Sequence, residues 1–387
     1  MSASRIGILG GGQLGLMLAE SLLHLSAEVT LLDPDPGSPA AARLANTHAR
    51  AWDDPVALQA LFARCDAVTF DSENVPAAPL SRPEWSQKLR PSLSVLATTQ
   101  DRAKEKAFLA AHGLPVVRSQ AVPSGGDVRE AARTVGFPCI AKSALLGYDG
   151  KGQHRVDSEA DLAQLPQTAP GGFVVEERLS LRTELSVIVA RDARGEEVTF
   201  PVFENLHRDH VLDFTLVPAR VSPELEAEAR ALALRTARAL QVVGLLTVEL
   251  FVGHGRDGKE RLWVNELAPR PHNSGHVTRQ CCTVSQFDAL ARILCGAPVG
   301  QPQVHPGAWC MGNLLGDVWR AQGRTGGGLD LSAWARFPEV VDVFLYGKAE
   351  AREKRKMGHF VVRAESPEKA LATARDFRAA LAAPPTS

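Results

Sequence analysis

Residues 246–276 read LTVELFVGHGRDGKERLWVNELAPRPHNSGH. Two apolar runs, 246–252 and 262–267, flank a polar, glycine-rich connection. Asp257-Gly258 at its centre is the strongest short signal for a two-residue hairpin turn. With that turn and no bulge, Arg256 faces Lys259 and, counting outward, Glu249 falls directly opposite Glu266. Opposed residues have Cβ atoms roughly 4.5–5.5 Å apart, and like charges there destabilise the pair. A divalent cation removes the conflict, and oxygen ligands suit Mg2+. The plainer alternative is two solvated glutamates on an open sheet face. A bulge at His254-Gly255 would shift the register.

The second strand runs into Ala268-Pro-Arg-Pro-His-Asn-Ser-Gly-His276, whose two prolines cannot extend a central strand. Strand alternation puts Arg270 on the side of Glu266. A cation site followed by a fixed guanidinium and polar groups suits small anions such as phosphate or bicarbonate. An ordinary polar loop is the other reading.

Outward from this stretch, the chain alternates strands and helices. Residues 5–9 form a buried strand, 16–25 a helix and 28–32 a second strand. Gly10, Gly12 and Gly15 between them match G-x-G-x-x-G, with Asp33 at about the spacing a dinucleotide fingerprint wants. Such glycines and a helix N-terminus serve any phosphorylated ligand, so NAD is one option among several. A strand at 65–70 ends in Asp71-Ser-Glu73-Asn74, the end where open α/β sheets bind ligands. Pro76, Pro79, Pro83 and Pro91 suggest a domain edge near residue 97. In the helix at 100–112, Arg102, Lys104 and Lys106 read as a solvated basic face. Lys142 ends a strand, and Gly147-Tyr-Asp-Gly-Lys-Gly-Gln153 is a loop of closely spaced amides suited to phosphates. It is not a Walker P-loop, and a plain surface hairpin is its alternative. Strands are expected at 173–177 and 184–190, with 205–208 as a polar connection. A long helix at 224–240 and a core helix at 285–294 flank the opening hairpin, and strands at 311–315, 341–346 and 358–363 precede a closing helix at 366–381.

The 387 residues suffice for two or three domains, and 45% hydrophobic residues support real cores. A net charge of −1 argues against a general nucleic-acid or anionic-membrane binder. Six cysteines without C-x-x-C spacing, no leader-like start and no membrane-length apolar run point to a reducing cytoplasm.

Five motifs occur together and in order: GILGGGQLG near the start, TQDR–EK at 99–106, GYDGKGQ at 147–153, NELAPRPHNSGH at 265–276 and YGK–RKMGH at 346–359. Over nearly the whole chain the sequence resembles the N5-carboxyaminoimidazole ribonucleotide synthetases, ATP-grasp enzymes of purine biosynthesis. The resemblance implies an α/β chain, α+β in its ATP-grasp part. A Rossmann-like parallel sheet would span residues 1–97, an ATP-grasp domain 98–305 with a mobile lid at about 120–185, and a small β-rich domain 306–387. It implies ATP, Mg2+, bicarbonate and 5-aminoimidazole ribonucleotide as ligands, a homodimer, and hand-off of product to a mutase. Glu249 and Glu266 would hold Mg2+. Arg102 and Lys142 would contact phosphates, and Gly147, Tyr148, Asp149, Gly150, Lys151, Gly152 and Gln153 would close over them. Glu176, Glu177, Arg178 and Leu179 would face adenine and Glu184 the ribose, with His207 and Asn265 completing the nucleotide site. Arg270, His272 and Asn273 would orient bicarbonate or carboxyphosphate, and Asp149 or a neighbour would take the proton of the attacking amine. Gln13, Leu14, Glu73, Tyr148, Asp149, Lys348 and Arg355 would hold the ribonucleotide.

The chain departs from the family at Ser143-Ala-Leu-Leu146, where an Arg and an extra Gly usually stand, and at Asp71, where Glu is common. A formate-dependent glycinamide ribonucleotide formyltransferase would continue APRPH with Asp-Thr-Gly where this chain has Asn-Ser-Gly. An NAD-dependent oxidoreductase would have no use for Glu249 and Glu266. A catalytically silent nucleotide-binding protein is the third alternative.

Overall fold

The computed structural model describes residues 3–147 and 150–383, arranged in three sheets. The first sheet has the order β3-β2-β1-β4 and is parallel: β1 (Arg5–Leu9), β2 (Glu28–Leu32), β3 (Thr47–His48) and β4 (Ala67–Phe70). Helices α1 (Gln13–His24), α2 (Pro55–Arg64) and α3 (Leu93–Thr99) accompany it. Asp54 starts α2, with its carboxylate accepting from the Val56 and Ala57 amides and proline at the first helical position.

Helix α4 (Arg102–Ala111) opens the next unit, its first turn capped by Asp101. A four-stranded antiparallel sheet follows, β5-β8-β6-β7, from β5 (Ser119–Val122), β6 (Cys139–Ser143), β7 (Gln153–Val156) and β8 (Phe173–Glu177). Helix α5 (Val128–Val135) buries Ala131, Ala132 and Val135 in this sheet's own core.

The third sheet has nine strands. They are β9 (Ser180–Arg191), β10 (Glu197–Thr199), β11 (Phe203–Arg208), β12 (Val211–Val217), β13 (Gly244–His254), β14 (Glu260–Ala268), β15 (Ala308–Leu315), β16 (Val340–Leu345) and β17 (Lys356–Ala364). The order is β14-β13-β9-β11-β12-β15-β17-β16, with β10 on β9. The strands after residue 306 therefore continue the central sheet. Helix α6 (Pro223–Ala239) covers β9 and β13, burying Leu232, Ala233 and Ala237 against Val187, Val189 and Val248. After α7 (Thr278–Cys281), α8 (Gln286–Leu294) packs against α1, so Leu14, Leu18 and Leu22 share one core with Phe287, Leu290 and Ile188. Ser21 donates to Asp288 across that contact at 2.7 Å. Helices α9 (Gly316–Ala321) and α10 (Pro367–Ala382) close the far end, where Phe377 packs edge-on to Phe360. Among the described residues no helix is long and apolar enough to cross a membrane.

Residues 205–208, expected as a polar connection, are strand. They form a hairpin with β12, turned at Asp209-His210, both at positive φ (52° and 68°). This is the backbone of a tight hairpin turn without the glycine that usually announces it.

Candidate active site

Glu249 pairs with Glu266, as the hairpin reading requires, but by another route. Near the turn the register is His254 with Glu260, leaving a five-residue loop in place of a two-residue one, and Arg256 does not pair with Lys259. A bulge restores the offset between Glu249/Glu266 and Leu250/Val264, with Asn265 as the extra residue. Among the described residues the buried side-chain oxygen of Asn265 has no partner, and its carbonyl accepts from Lys106 Nζ at 2.9 Å.

The conflict between the opposed carboxylates is met inside the protein. His272 Nε2 lies 2.9 Å from Glu249, and Arg102 Nη1 lies 2.7 Å from Glu266. Burial opposes ionisation of Glu249, but the His272 hydrogen bond and the charges of His272 and His207 outweigh it and hold the carboxyl well below its usual range. Opposition alone therefore does not demand a metal.

Arg102 and Lys106 stand four apart on α4 and share a face, and that face is not solvated as expected. Lys106 is buried, and only Lys104 of the three basic residues is exposed. Lys106 and Lys142 clasp Glu176 at 3.3 and 2.6 Å. Burial opposes ionisation of this carboxyl too, and the two ammonium groups bring it down to about 2. Glu105, on the same turn, accepts from the Leu267 amide at 3.0 Å. Burial, then the charge of Glu266, pushes it up to about 8. Glu73, Arg102, Glu105, Gly147 and Glu266 line a small cavity between the first domain and the hairpin.

Arg270 forks onto Glu73, with Nη2 to Oε1 at 2.7 Å and Nε to the other oxygen. Burial raises and Arg270 more strongly lowers the Glu73 carboxyl, to about 2. The Glu73 carbonyl accepts from Gln100 at 2.6 Å. His272 is clamped by Gln286, which accepts from its amide at 2.8 Å and donates to its carbonyl at 2.7 Å. Gln286→Leu strips both partners and should cost about 2 kcal/mol, read as a lower urea midpoint at unchanged m-value. Asn273 does not join this set, because its amide exchanges two hydrogen bonds with Asn313 at 3.1 and 2.7 Å.

Of the residues expected at the nucleotide, His207 Nδ1 lies 3.0 Å from Glu184 on the neighbouring strand. Burial opposes a charged His207, but the Glu184 hydrogen bond raises its pKa. The side chains of Glu177 and Arg178 are engaged with Arg256 and Asp157, and Leu179 is half-buried beside them. In the glycine loop, Gly147 accepts from Arg102 at 3.0 Å, Gly150 and Gly152 take positive φ, and Gln153 pairs with Lys142. Lys151 lies in the turn between them. Tyr148 and Asp149 lie outside the described residues. Leu146, at the end of the stretch where the sequence departs from the expected pattern, adopts the glycine-like φ of 59° and is 63% exposed.

Gln13 and Leu14 open α1 at the glycine loop. Lys348 donates to the Lys356 carbonyl at 2.7 Å, and Arg355 to the Glu350 carbonyl at 3.1 Å within its own loop. Buried Tyr346 and His359, 3.0 Å apart, pack with His276 and tie this loop to the end of the hairpin segment. Arg43, which no sequence signal marked, donates to the Pro39 and Tyr346 carbonyls at 3.2 and 3.4 Å and joins the first domain to it.

Residues 3–100 match the ribonucleotide synthetase preATP-grasp domain, 107–287 the ATP-grasp domain, and 310–373 the phosphoribosylaminoimidazole carboxylase C-terminal domain. An N5-carboxyaminoimidazole ribonucleotide synthase of Bacillus subtilis is 36% identical over 92% of this chain and 90% of its own length. The chain belongs to the N5-carboxyaminoimidazole ribonucleotide synthase family. A bifunctional purine synthesis protein of Dictyostelium discoideum is 35% identical over 92% of the chain, which spans 36% of that longer protein. An ADP complex of an N5-carboxyaminoimidazole ribonucleotide synthetase superposes with a TM-score of 0.87, at 35% identity and 97% coverage of both chains. An Aspergillus clavatus synthase with ADP and 5-aminoimidazole ribonucleotide gives 0.83, at 27% identity and 98% coverage of both.

Family membership replaces the dinucleotide reading of Gly10–Gly15, and the structure supplies a physical reason. The amides of Gly12 and Gly15 already donate to Asp71, and that of Gly11 to Asp33.

Proposed function

We infer that this chain carboxylates 5-aminoimidazole ribonucleotide with bicarbonate, driven by ATP, giving N5-carboxyaminoimidazole ribonucleotide, ADP and phosphate. The observation that carries the reading is one strand and its extension. Glu266 on β14 meets Arg102, and four residues on Arg270 is held by Glu73 from the first domain. A nucleotide, a small anion and an acceptor held by the first domain thus have adjoining places.

In this reading a bicarbonate oxygen attacks the γ-phosphorus, the bond to the ADP oxygen breaks, and carboxyphosphate forms. The ribonucleotide amine then adds to the carboxyl carbon of carboxyphosphate, or of CO2 released from it. Phosphate leaves and the amine gives up a proton, for which Asp149 is the assigned acceptor. Arg102 and Lys142 serve the phosphates by turning from Glu266 and Glu176. Lys106 then keeps Glu176 compensated, a role its two carbonyl contacts on the bulge also suit. Arg270, oriented by Glu73, and His272, oriented by Gln286, hold the carboxyl group.

The donors fit magnesium. Mg2+ typically takes one or two carboxylates with substrate phosphates and water, and Glu249 and Glu266 are opposed oxygen donors of that kind. The ion, when bound, neutralises charge that builds on the phosphates during transfer.

ADP formation should be fast only when bicarbonate and 5-aminoimidazole ribonucleotide are both present, measured in a coupled assay with each left out in turn. Turnover with formate and glycinamide ribonucleotide instead would establish the formyltransferase reading.

A further inference from the structure

The glycine loop satisfies most of its donors internally. Gly10 N donates to Leu32 O at 3.0 Å, and Gly11 N to Asp33 Oδ2 at 2.6 Å. Gly12 N and Gly15 N both donate to Asp71 Oδ2, at 2.8 and 3.3 Å, and Leu16 N to Gly12 O at 3.0 Å. Among the described residues this leaves the Gln13 and Leu14 amides, the first two of α1, without an acceptor.

The three fingerprint glycines also face one carboxyl group. A Cβ on Gly10 would fall 1.8 Å from Asp71 Oδ1 and one on Gly12 2.9 Å from Oδ2, while one on Gly15 would fall 2.5 Å from the Gly10 carbonyl oxygen and 3.1 Å from Oδ2. The glycines make room for an aspartate of the protein itself, where a dinucleotide site makes room for pyrophosphate. Asp71 is buried, and two residues later Glu73 forks onto Arg270. One acidic turn thus grips both the glycine loop and the arginine assigned to the carboxyl group.

We propose that Asp71 is a positioning residue for the ribonucleotide phosphate: by taking the amides of Gly12 and Gly15, it leaves those of Gln13 and Leu14 as the pair that the phosphate meets. This rests on the ribonucleotide reading of the loop. A phosphate seated on Gly12 and Gly15 would have to displace the Asp71 carboxyl, with Asp33 also close by. Burial, then the Asp33 charge, pushes the Asp71 carboxyl up to about 7, so an amide is a fair replica of its neutral form.

The test is a double-mutant cycle on the full chain, read as KM for the ribonucleotide, KM for ATP and kcat. Gly12 has a φ of −64°, which alanine adopts readily, and within 4 Å its added Cβ meets only Asp71. Gly12→Ala should raise the ribonucleotide KM about tenfold, the worth of one well-placed hydrogen bond, while kcat and the ATP KM stay within about twofold. Asp71→Ala should do the same, and Gly12→Ala should add less than about twofold in that background. Asp71→Asn should stay within about threefold of the unsubstituted enzyme, because it keeps an acceptor for the two amides. Additive effects in the cycle, or an unchanged ribonucleotide KM in both single variants, would overturn the proposal. If Asp71→Ala does not fold, Gly12→Ala and Asp71→Asn decide by the same KM. An unsubstituted enzyme whose ADP formation ignored the ribonucleotide would overturn the functional reading and this inference with it. Unshifted variants of an enzyme that does respond to it would overturn the inference alone.

Discussion

Glu266→Gln should lower kcat about 100-fold or more, the range seen when one electrostatic contact to a charge-developing transition state is lost. The substitution is isosteric. It keeps an oxygen that can accept from Arg102 Nη1, now 2.7 Å from the carboxylate, and it leaves the backbone pairing with Glu249 intact. What goes is the negative charge that would face the phosphates and the cation in the proposed reading. The neighbouring Glu105 also loses a like charge that pushes its pKa up, which offsets part of what Arg102 loses with its partner's charge. Turnover should therefore collapse while the thermal midpoint moves little, and ATP should still bind through Arg102 and Lys142. The measurement is steady-state ADP release at saturating Mg2+, bicarbonate and ribonucleotide, beside a melting curve. Near-normal turnover would remove Glu266 from the metal site.

The same residue shows how far sequence reasoning reaches. Counting outward from an Asp257-Gly258 turn placed Glu249 opposite Glu266, because turn and loop length fix the register of a hairpin. It did so through a turn that the chain does not make. The five-residue loop shifts the register one way and the Asn265 bulge shifts it back, and no local signal announces either. Glycine punctuation and periodic apolar runs made the first βαβ unit legible, while the architecture of the whole chain came from its resemblance to a family. β11 and β12 were missed in part because Asp209 and His210 turn the chain without glycine. Site partners were harder to read. Arg270 meets Glu73 across 197 residues, and Lys106 reads as a surface lysine until the fold brings Glu176 and the bulge carbonyls to it. Such contacts are products of tertiary packing, invisible in a window of sequence. Asp71 reads from the sequence as the end of a strand, and its packing against Gly10 and Gly12 exists only in the folded chain.

Glu176→Gln should have the largest effect on stability. The carboxylate lies between Lys106 and Lys142, all three side chains at most 6% exposed. Breaking a buried ion pair by removing one partner costs roughly 3–5 kcal/mol, because the remaining charge is left uncompensated. Here two ammonium groups would remain. Burial already lowers the pKa of Lys142, and without Glu176 it should fall further, so part of the loss can be relieved by shedding its proton. The urea midpoint at neutral pH should still drop, by roughly 3 kcal/mol at constant m-value. The pH dependence gives a second readout. The folded carboxyl titrates at about 2 against an ordinary 4.5, so the unfolded chain binds the proton first on acidification. The stabilisation is complete above pH 4.5 and drains away as the pH falls towards 2. It amounts to roughly 3 kcal/mol at about 1.4 kcal/mol per pKa unit. In Glu176→Gln that part of the acid limb should flatten, while the contribution of Glu73, which titrates in the same window, persists. Adding Lys106→Met should recover part of the loss, because it removes one of the two stranded charges. A double variant that merely summed two independent losses would show that the three groups do not act as one electrostatic unit.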